Sequence, residues 1–146
     1  MGLLIALFVG HFFGDFLCQT DRMATMKGRS WRWLSIHVLA YTGVLAVVAL
    51  IWAGTVGAAA PFVGVTFLAH MATDAVTSRI TSRLWFFRRC DGIWTQAEYT
   101  MPRHGRVLVN PFEEVPGLRH WFFVVIGADQ CLHLCALVLA AELWLP

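Results

Sequence analysis

Histidine and aspartate recur four residues apart within the most apolar stretches of this chain. On an α-helix that spacing places both side chains on one face, where an imidazole and a carboxylate can bind the same metal ion. A mixed set of nitrogen and oxygen ligands suits Zn, Mn or Fe. The pattern predicts a site for one divalent metal ion or two, with seven candidate ligands: His11, Asp15, His37, His70, Asp74, Asp129 and His133.

Three further polar residues accompany these candidates. Each lies next to a candidate ligand in the sequence or on the same predicted helix face: Gln19, Tyr41 and Gln130. Hydrogen bonds from such neighbours hold metal ligands in position and tune their basicity. We expect these three residues to support the ligands, and the sequence alone identifies no catalytic residue.

The composition is that of a membrane protein. The chain is 58% hydrophobic and only 14% charged, and its mean hydropathy is +0.64. About 20 helical residues cross a bilayer core of ~30 Å, and four apolar runs come close to that length: 1–20, 33–53, 58–78 and 121–145. We therefore predict an all-α fold, a single integral membrane four-helix bundle over 1–146, with a long cytoplasmic loop at 79–120.

The basic residues predict the orientation of this bundle. Every Lys and Arg falls in 22–32 or 79–119, whereas the connection at 54–60 and both ends carry none. By the positive-inside rule both basic segments lie in the cytoplasm and both termini outside it. The predicted partner is the lipid bilayer, with other membrane subunits or a second copy of the chain as further candidates. No basic patch is organised for nucleic acid.

The predicted topology also brings the candidate ligands to similar depths. An ionisable group inside a span costs ~3 kcal/mol on insertion scales, so each one needs a partner. Counted from the cytoplasmic ends, three candidates lie about one helical turn deep, three about two turns deep, and His133 deepest. We expect all seven to meet in one layer in the cytoplasmic half of the membrane.

The same residues carry a family resemblance. The pattern His11-x3-Asp15-Phe16-x2-Gln19, the lone His37, His70-x3-Asp74 and Asp129-Gln130-x2-His133 resembles the bacterial membrane proteins called domain of unknown function 3307. The resemblance covers nearly the whole chain. It implies a small multi-helix protein of the bacterial inner membrane, and it implies no particular activity.

Three functions remain open from the sequence. The first is a metal-dependent hydrolase that acts at the cytoplasmic face on a lipid-like or membrane-proximal substrate, with 90–119 as a lid or substrate platform. The second is a proton or cation transport component, since intramembrane Asp and His residues are typical of such paths. The third is a non-catalytic accessory subunit of a larger membrane complex.

Overall fold

A computed structural model describes residues 1–90, 100–101, 105–106 and 118–145 of the chain. Helix α1 spans Gly2–Phe12 and continues as a π-helical turn over Phe13–Leu17, α2 spans Asp21–Met26, α3 Trp31–Ala53, α4 Val56–Cys90 and α5 Leu118–Trp144. Two short strands, β1 at Thr100–Met101 and β2 at Gly105–Arg106, pair antiparallel. The described chain is thus almost entirely helical, as predicted. The lid predicted at 90–119 lies largely outside the described residues.

Three of these helices are long and apolar enough to cross a membrane. They cover Trp31–Ala53, Val56–Arg83 and His120–Trp144, whereas the apolar helix at Gly2–Leu17 is shorter than a full span. The three long helices indicate a membrane protein, and a count of four spans is not confirmed. Many large apolar side chains point outward, among them Ile51 at 77% and Leu68 at 66% exposed. Such a surface suits lipid better than water.

The first helix ends earlier than the sequence pattern predicted. Its last turn is π-helical, and the chain bends at Cys18 before Thr20 caps α2 by accepting a hydrogen bond from the Met23 amide at 3.3 Å. The prediction that Gln19 extends the helical face of Asp15 was therefore wrong. Thr20 prefers the extended cap position to a helical one, because its hydroxyl can satisfy a free amide there.

One buried face runs along the bundle and changes character halfway. Between the α3–α4 turn and Tyr41 it is apolar, with Leu7, Leu45, Phe62 and Leu137 fully or almost fully buried. One or two turns further along each helix, the same face carries the candidate ligands. The apolar half holds the four helices together, and the polar half is positioned by that packing.

Two glycines allow α1 to approach α3 closely. A Cβ atom on Gly14 would lie 2.9 Å from Tyr41 Cδ2 and 3.1 Å from Tyr41 Cα, and one on Gly10 would lie 3.0 Å from Leu45 Cδ2. The contact at Gly14 involves backbone, which cannot move aside as a side-chain tip can. Gly10 and Gly14, four residues apart, thus allow the helix that carries Asp15 to pack directly against α3.

Replacing Gly14 with alanine should therefore destabilise the bundle. We expect Gly14→Ala to lower the free energy of unfolding by about 1–3 kcal/mol, because the added methyl group overpacks the α1–α3 contact. Denaturant unfolding in detergent would measure this loss. Gly43→Ala is the matched control, since a Cβ on Gly43 meets nothing within 4 Å. Equal stabilities of the two variants would contradict the close-packing account.

Candidate metal centre

The structure brings all seven candidate ligands into one cluster. They come from α1 with its π-helical turn, α3, α4 and α5, so that every long helix contributes. Six of them are at most 4% exposed, and the side chain of Asp129 is 14% exposed. The helices thus bring the seven side chains to a similar level along the bundle, as the spacing predicts. Which of the seven could bind an ion is a separate question, decided by where their nitrogen and oxygen atoms point.

The centre of the cluster is the Nε2 atom of His37. Four groups lie within hydrogen-bonding distance of this one nitrogen: Asp15 Oδ1 at 3.1 Å, and Asp74 Oδ2, His70 Nε2 and Lys27 Nζ at 3.2 Å each. An imidazole nitrogen holds either a proton or a lone pair. A proton suits the two carboxylates and opposes the ammonium, whereas a lone pair does the reverse. No single protonation state of His37 satisfies all four neighbours.

Three of these atoms have the spacing of a tetrahedral metal site. Asp15 Oδ1, His37 Nε2 and His70 Nε2 are separated by 3.1, 3.2 and 3.7 Å. Ligands at about 2.0–2.1 Å from a tetrahedral zinc ion lie about 3.3–3.4 Å apart. The donor set, one carboxylate and two imidazoles, also suits such an ion. We call these three residues the Asp15 triad, and they could hold a metal ion.

A second group of three could also hold an ion, with a less favourable geometry. It consists of His70, Asp74 and His133, and His133 Nε2 lies 3.8 Å from Asp74 Oδ1. The rings of His70 and His133 are stacked, 4.0 Å apart and only 7° from parallel. The lone pairs of parallel rings do not converge on one point. In addition, His70 contacts Asp74 at 3.5 Å through the same Nε2 atom that it offers to the Asp15 triad.

Several buried atoms in the cluster lack a hydrogen-bond partner among the described residues. They are Asp15 Oδ1, Asp74 Oδ1, the Nδ1 atoms of His37 and His70, and both ring nitrogens of His133. Buried polar atoms of this kind cost about 1–3 kcal/mol each when they are unpaired. Asp15 Oδ1 belongs to the proposed ligand atoms, so a bound cation would relieve the cost at that atom.

His11 does not offer a free nitrogen to an ion. Its Nδ1 lies 3.1 Å from the Tyr41 hydroxyl, and its Nε2 lies 3.0 Å from Gln130 Oε1. Because an amide oxygen only accepts hydrogen bonds, His11 Nε2 carries the proton and Nδ1 accepts from Tyr41. Gln130 Nε2 in turn donates to Asp15 Oδ2 at 2.9 Å. This hydrogen-bonded chain holds one oxygen of Asp15 and leaves Oδ1 directed at His37.

Asp129 sits at the edge of the cluster. Thr77 donates a hydrogen bond to its Oδ1 at 2.5 Å, and Gln130 Nε2 donates to its Oδ2 at 3.2 Å. His133 Nδ1 is 3.8 Å from the same Oδ2. These contacts satisfy both oxygens of Asp129. Gln130 and Tyr41 thus contact candidate ligands, and their supporting role stays a prediction. The Gln19 amide oxygen is buried after the end of the helix and has no hydrogen-bond partner among the described residues.

The sequence pattern missed Lys27. The charge pattern predicts 22–32 as a basic cytoplasmic segment, but the Lys27 side chain turns inward, and its Nζ forms an ion pair with Asp74 Oδ2 at 3.0 Å. Lys27 is the only lysine among 11 basic residues. That is the one signal that could have singled it out, since a lysine stem is flexible enough to reach inward from a loop.

The basic residues near this cluster gather at one end of the bundle. The guanidinium of Arg79 on α4 lies 4.4 Å from the ring centre of Trp31 at the start of α3. Arg22, Arg29 and Arg32 belong to the same end by chain connection. The candidate metal centre therefore lies in the half of the bundle next to the basic end, as the charge pattern predicted.

Comparison with known protein families agrees with the resemblance in the sequence. A comparison with curated proteins gave no match, and neither did a comparison with solved structures. The model of one family, described as "Protein of unknown function (DUF3307)", matches residues 3–145. Nearly the whole chain is covered, including every candidate ligand. The chain therefore belongs to the DUF3307 family.

Proposed function

We propose that this protein is an integral membrane metalloprotein that holds one divalent ion between Asp15, His37 and His70 and hydrolyses a membrane-proximal substrate. The observation that carries the proposal is the environment of His37 Nε2, where two carboxylates, an imidazole and an ammonium meet. A divalent cation that accepts the lone pair of His37 is attracted by both carboxylates. The ion also lowers the free-energy cost of burying these ionisable groups inside a membrane.

One ion is favoured over two because the two candidate groups share His70. The Nε2 atom of His70 belongs to the Asp15 triad, and the same atom is the one that contacts Asp74 in the second group. Zinc is favoured over manganese and iron because three ligands about 3.3 Å apart suit a small tetrahedral ion. Manganese typically takes more oxygen ligands in an octahedral arrangement.

The hydrolase proposal rests on the number of ligands. If Asp15, His37 and His70 alone bind the ion, one position of a tetrahedral ion stays open, as in catalytic zinc sites. If Asp74 Oδ2, which lies 3.2 Å from His37 Nε2, bound as a fourth ligand, the site would be closed, as structural sites are. A zinc ion bound in this way supplies Lewis acidity and a water molecule of lowered pKa. The protein contributes the series of hydrogen bonds that orients Asp15 and the apolar helix packing that excludes bulk water. The predicted position of the site is the cytoplasmic half of the membrane, and we therefore propose a lipid-like ester or phosphoester as the substrate class.

A proton relay is less well supported. One hydrogen-bonded path in the cluster runs from Tyr41 through His11 and Gln130 to Asp15. The amide group of Gln130 has donors and an acceptor but no group that titrates. It therefore interrupts proton transfer along this path. An accessory subunit with a structural metal ion remains compatible with the ligand set, and the substrate test below separates it from a hydrolase.

We further propose that the chain crosses the bacterial inner membrane four times. The short first helix would then be completed by the residues around Cys18 and by local thinning of the bilayer. Both termini would lie outside the cytoplasm, because the basic segments 22–32 and 79–119 prefer the cytoplasmic side. Cysteine accessibility at Gly2→Cys and at Arg29→Cys in intact cells would test this orientation.

Metal analysis of the purified protein tests the central proposal. We expect about one zinc ion per chain after reconstitution and dialysis, and loss of nearly all of it in His70→Ala, because His70 supplies one of three ligands. His120→Ala is the matched control, since His120 is an exposed histidine on α5. Unchanged metal content in His70→Ala, or none in the native protein, would contradict a metal centre. Metal-dependent hydrolysis of lipid-like esters or phosphoesters, absent from His70→Ala, would then separate an enzyme from a subunit with a structural ion.

A further inference from the structure

The Lys27 ammonium contacts two of the candidate metal ligands, Asp74 and His37. Its Nζ is 3.0 Å from Asp74 Oδ2 and 3.2 Å from His37 Nε2, and the latter nitrogen is a member of the Asp15 triad. A lysine ammonium can only donate hydrogen bonds. When Lys27 donates to His37 Nε2, its hydrogen bond therefore uses the lone pair that a metal ion would need. Lys27 and an ion cannot use His37 Nε2 at the same time.

The loop that carries Lys27 is held firmly against α4. Lys27 follows α2, and the next residue, Gly28, packs so closely on α4 that an added Cβ would lie 2.1 Å from Ser82 Oγ and 2.3 Å from the Ser78 carbonyl oxygen. This contact fixes the loop above the cluster. The Lys27 side chain is only 15% exposed and reaches inward from that anchor. The packing of Gly28 on α4 thus holds the Lys27 side chain close to the cluster.

We infer that Lys27 is a tethered cation that occupies the acidic site in the metal-free protein and is released when a metal ion binds. This inference rests on the proposed metal centre and adds a form of regulation to it. The ammonium stabilises the buried carboxylates when no ion is present, which avoids an uncompensated charge. Ion binding takes the lone pair of His37 and places a second positive charge beside Lys27, so the ammonium leaves. The conformation of the loop at 18–30, at the basic end of the bundle, would therefore depend on whether the site holds a metal ion.

The native protein allows a direct test, because Lys27 is the only lysine in the sequence. Its reaction with an amine-specific acylating reagent can be followed by mass spectrometry of the peptide that contains it. A hydrogen bond to a charged group typically lowers the population of the unbonded, reactive group by a factor of about ten to one hundred. We expect saturating Zn²⁺ to raise the acylation rate of Lys27 by about tenfold or more. In His70→Ala, Zn²⁺ should leave the rate unchanged.

A rate that stays constant or falls while the same sample binds zinc would overturn the release of Lys27 and leave the metal centre intact. If neither the native protein nor any variant binds zinc, the proposed function fails as well. These two results are distinguished by measuring bound zinc in each labelled sample.

Zinc affinity provides the second measurement. Lys27→Met keeps the length of the side chain and removes its charge, so we expect zinc to bind about ten to one hundred times more tightly. Arg29→Met removes the same charge from an exposed position in the same loop and should change affinity less than about threefold. Weaker or unchanged binding in Lys27→Met would overturn the inference, and tighter binding in both variants would assign the effect to net charge alone.

Discussion

Replacing Asp15 with asparagine should weaken zinc binding by at least about one hundredfold, or about 2.7 kcal/mol. Asparagine keeps the shape of the side chain but removes the negative charge at Oδ1, the atom 3.1 Å from His37 Nε2 and 3.7 Å from His70 Nε2. An amide oxygen is a poor ligand for zinc compared with a carboxylate. Competition with a chromophoric chelator, in detergent at constant pH and salt, would measure the affinity.

His133→Gln provides the matching variant for this experiment. His133 belongs to the second group of candidate ligands and not to the Asp15 triad. Its ring is stacked on His70 and does not converge with it on one point. We expect His133→Gln to change zinc affinity by less than about fivefold. The opposite order of effects would place the ion between His70, Asp74 and His133 instead, and equal losses would indicate that the two groups share it.

The sequence predicted the convergence of the polar residues because helical geometry determines it. His70 and Asp74 lie one turn apart on α4, and the topology of antiparallel helices brings them to the depth of Asp15 and His37. That result needs only the spacing, the apolar runs and the charge pattern. It does not depend on side-chain conformation, so the spacing alone is enough to group seven residues from four helices.

The distribution of roles within the cluster could not be predicted in the same way. His11 and His70 have the same spacing to an aspartate, which follows each of them by four residues. Yet both nitrogens of His11 are used by Tyr41 and Gln130, whereas Nε2 of His70 faces His37. The difference depends on rotamers and on which neighbour comes within about 3 Å, and a spacing rule contains neither.

Local backbone changes account for the remaining differences. The π-helical turn at Phe13–Leu17 ends the first helix before Gln19, and such turns occur often at functional sites. A pattern with a period of four residues assumes that the helix continues, so it wrongly placed Gln19 on the face of Asp15. Lys27 was missed because its position depends on the path of a loop, which is set by the close contact of Gly28 with α4.

Replacing Gln130 with glutamate should destabilise the metal-free protein by about 2–4 kcal/mol. The Gln130 amide nitrogen donates to Asp15 Oδ2 at 2.9 Å and to Asp129 Oδ2 at 3.2 Å. A glutamate can still accept the hydrogen bond from His11, but it places a third negative charge against two carboxylates. Uncompensated charge of this kind is among the most costly changes in a protein interior. Denaturant unfolding in detergent with a chelator present would measure the loss.

The comparison with Gln130→Met separates charge repulsion from the loss of hydrogen bonds. Methionine removes the same two donors without adding a charge, although it also removes the oxygen that accepts a hydrogen bond from His11. We still expect it to cost less than glutamate in the metal-free protein, because a buried uncompensated charge costs more than a lost hydrogen bond. Adding zinc should then narrow the difference between the two variants, because a divalent ion at Asp15 offsets the extra negative charge and stabilises the state that binds it. If the two variants were equally unstable, or if zinc left their difference unchanged, the bound ion could not be the charge that these carboxylates share.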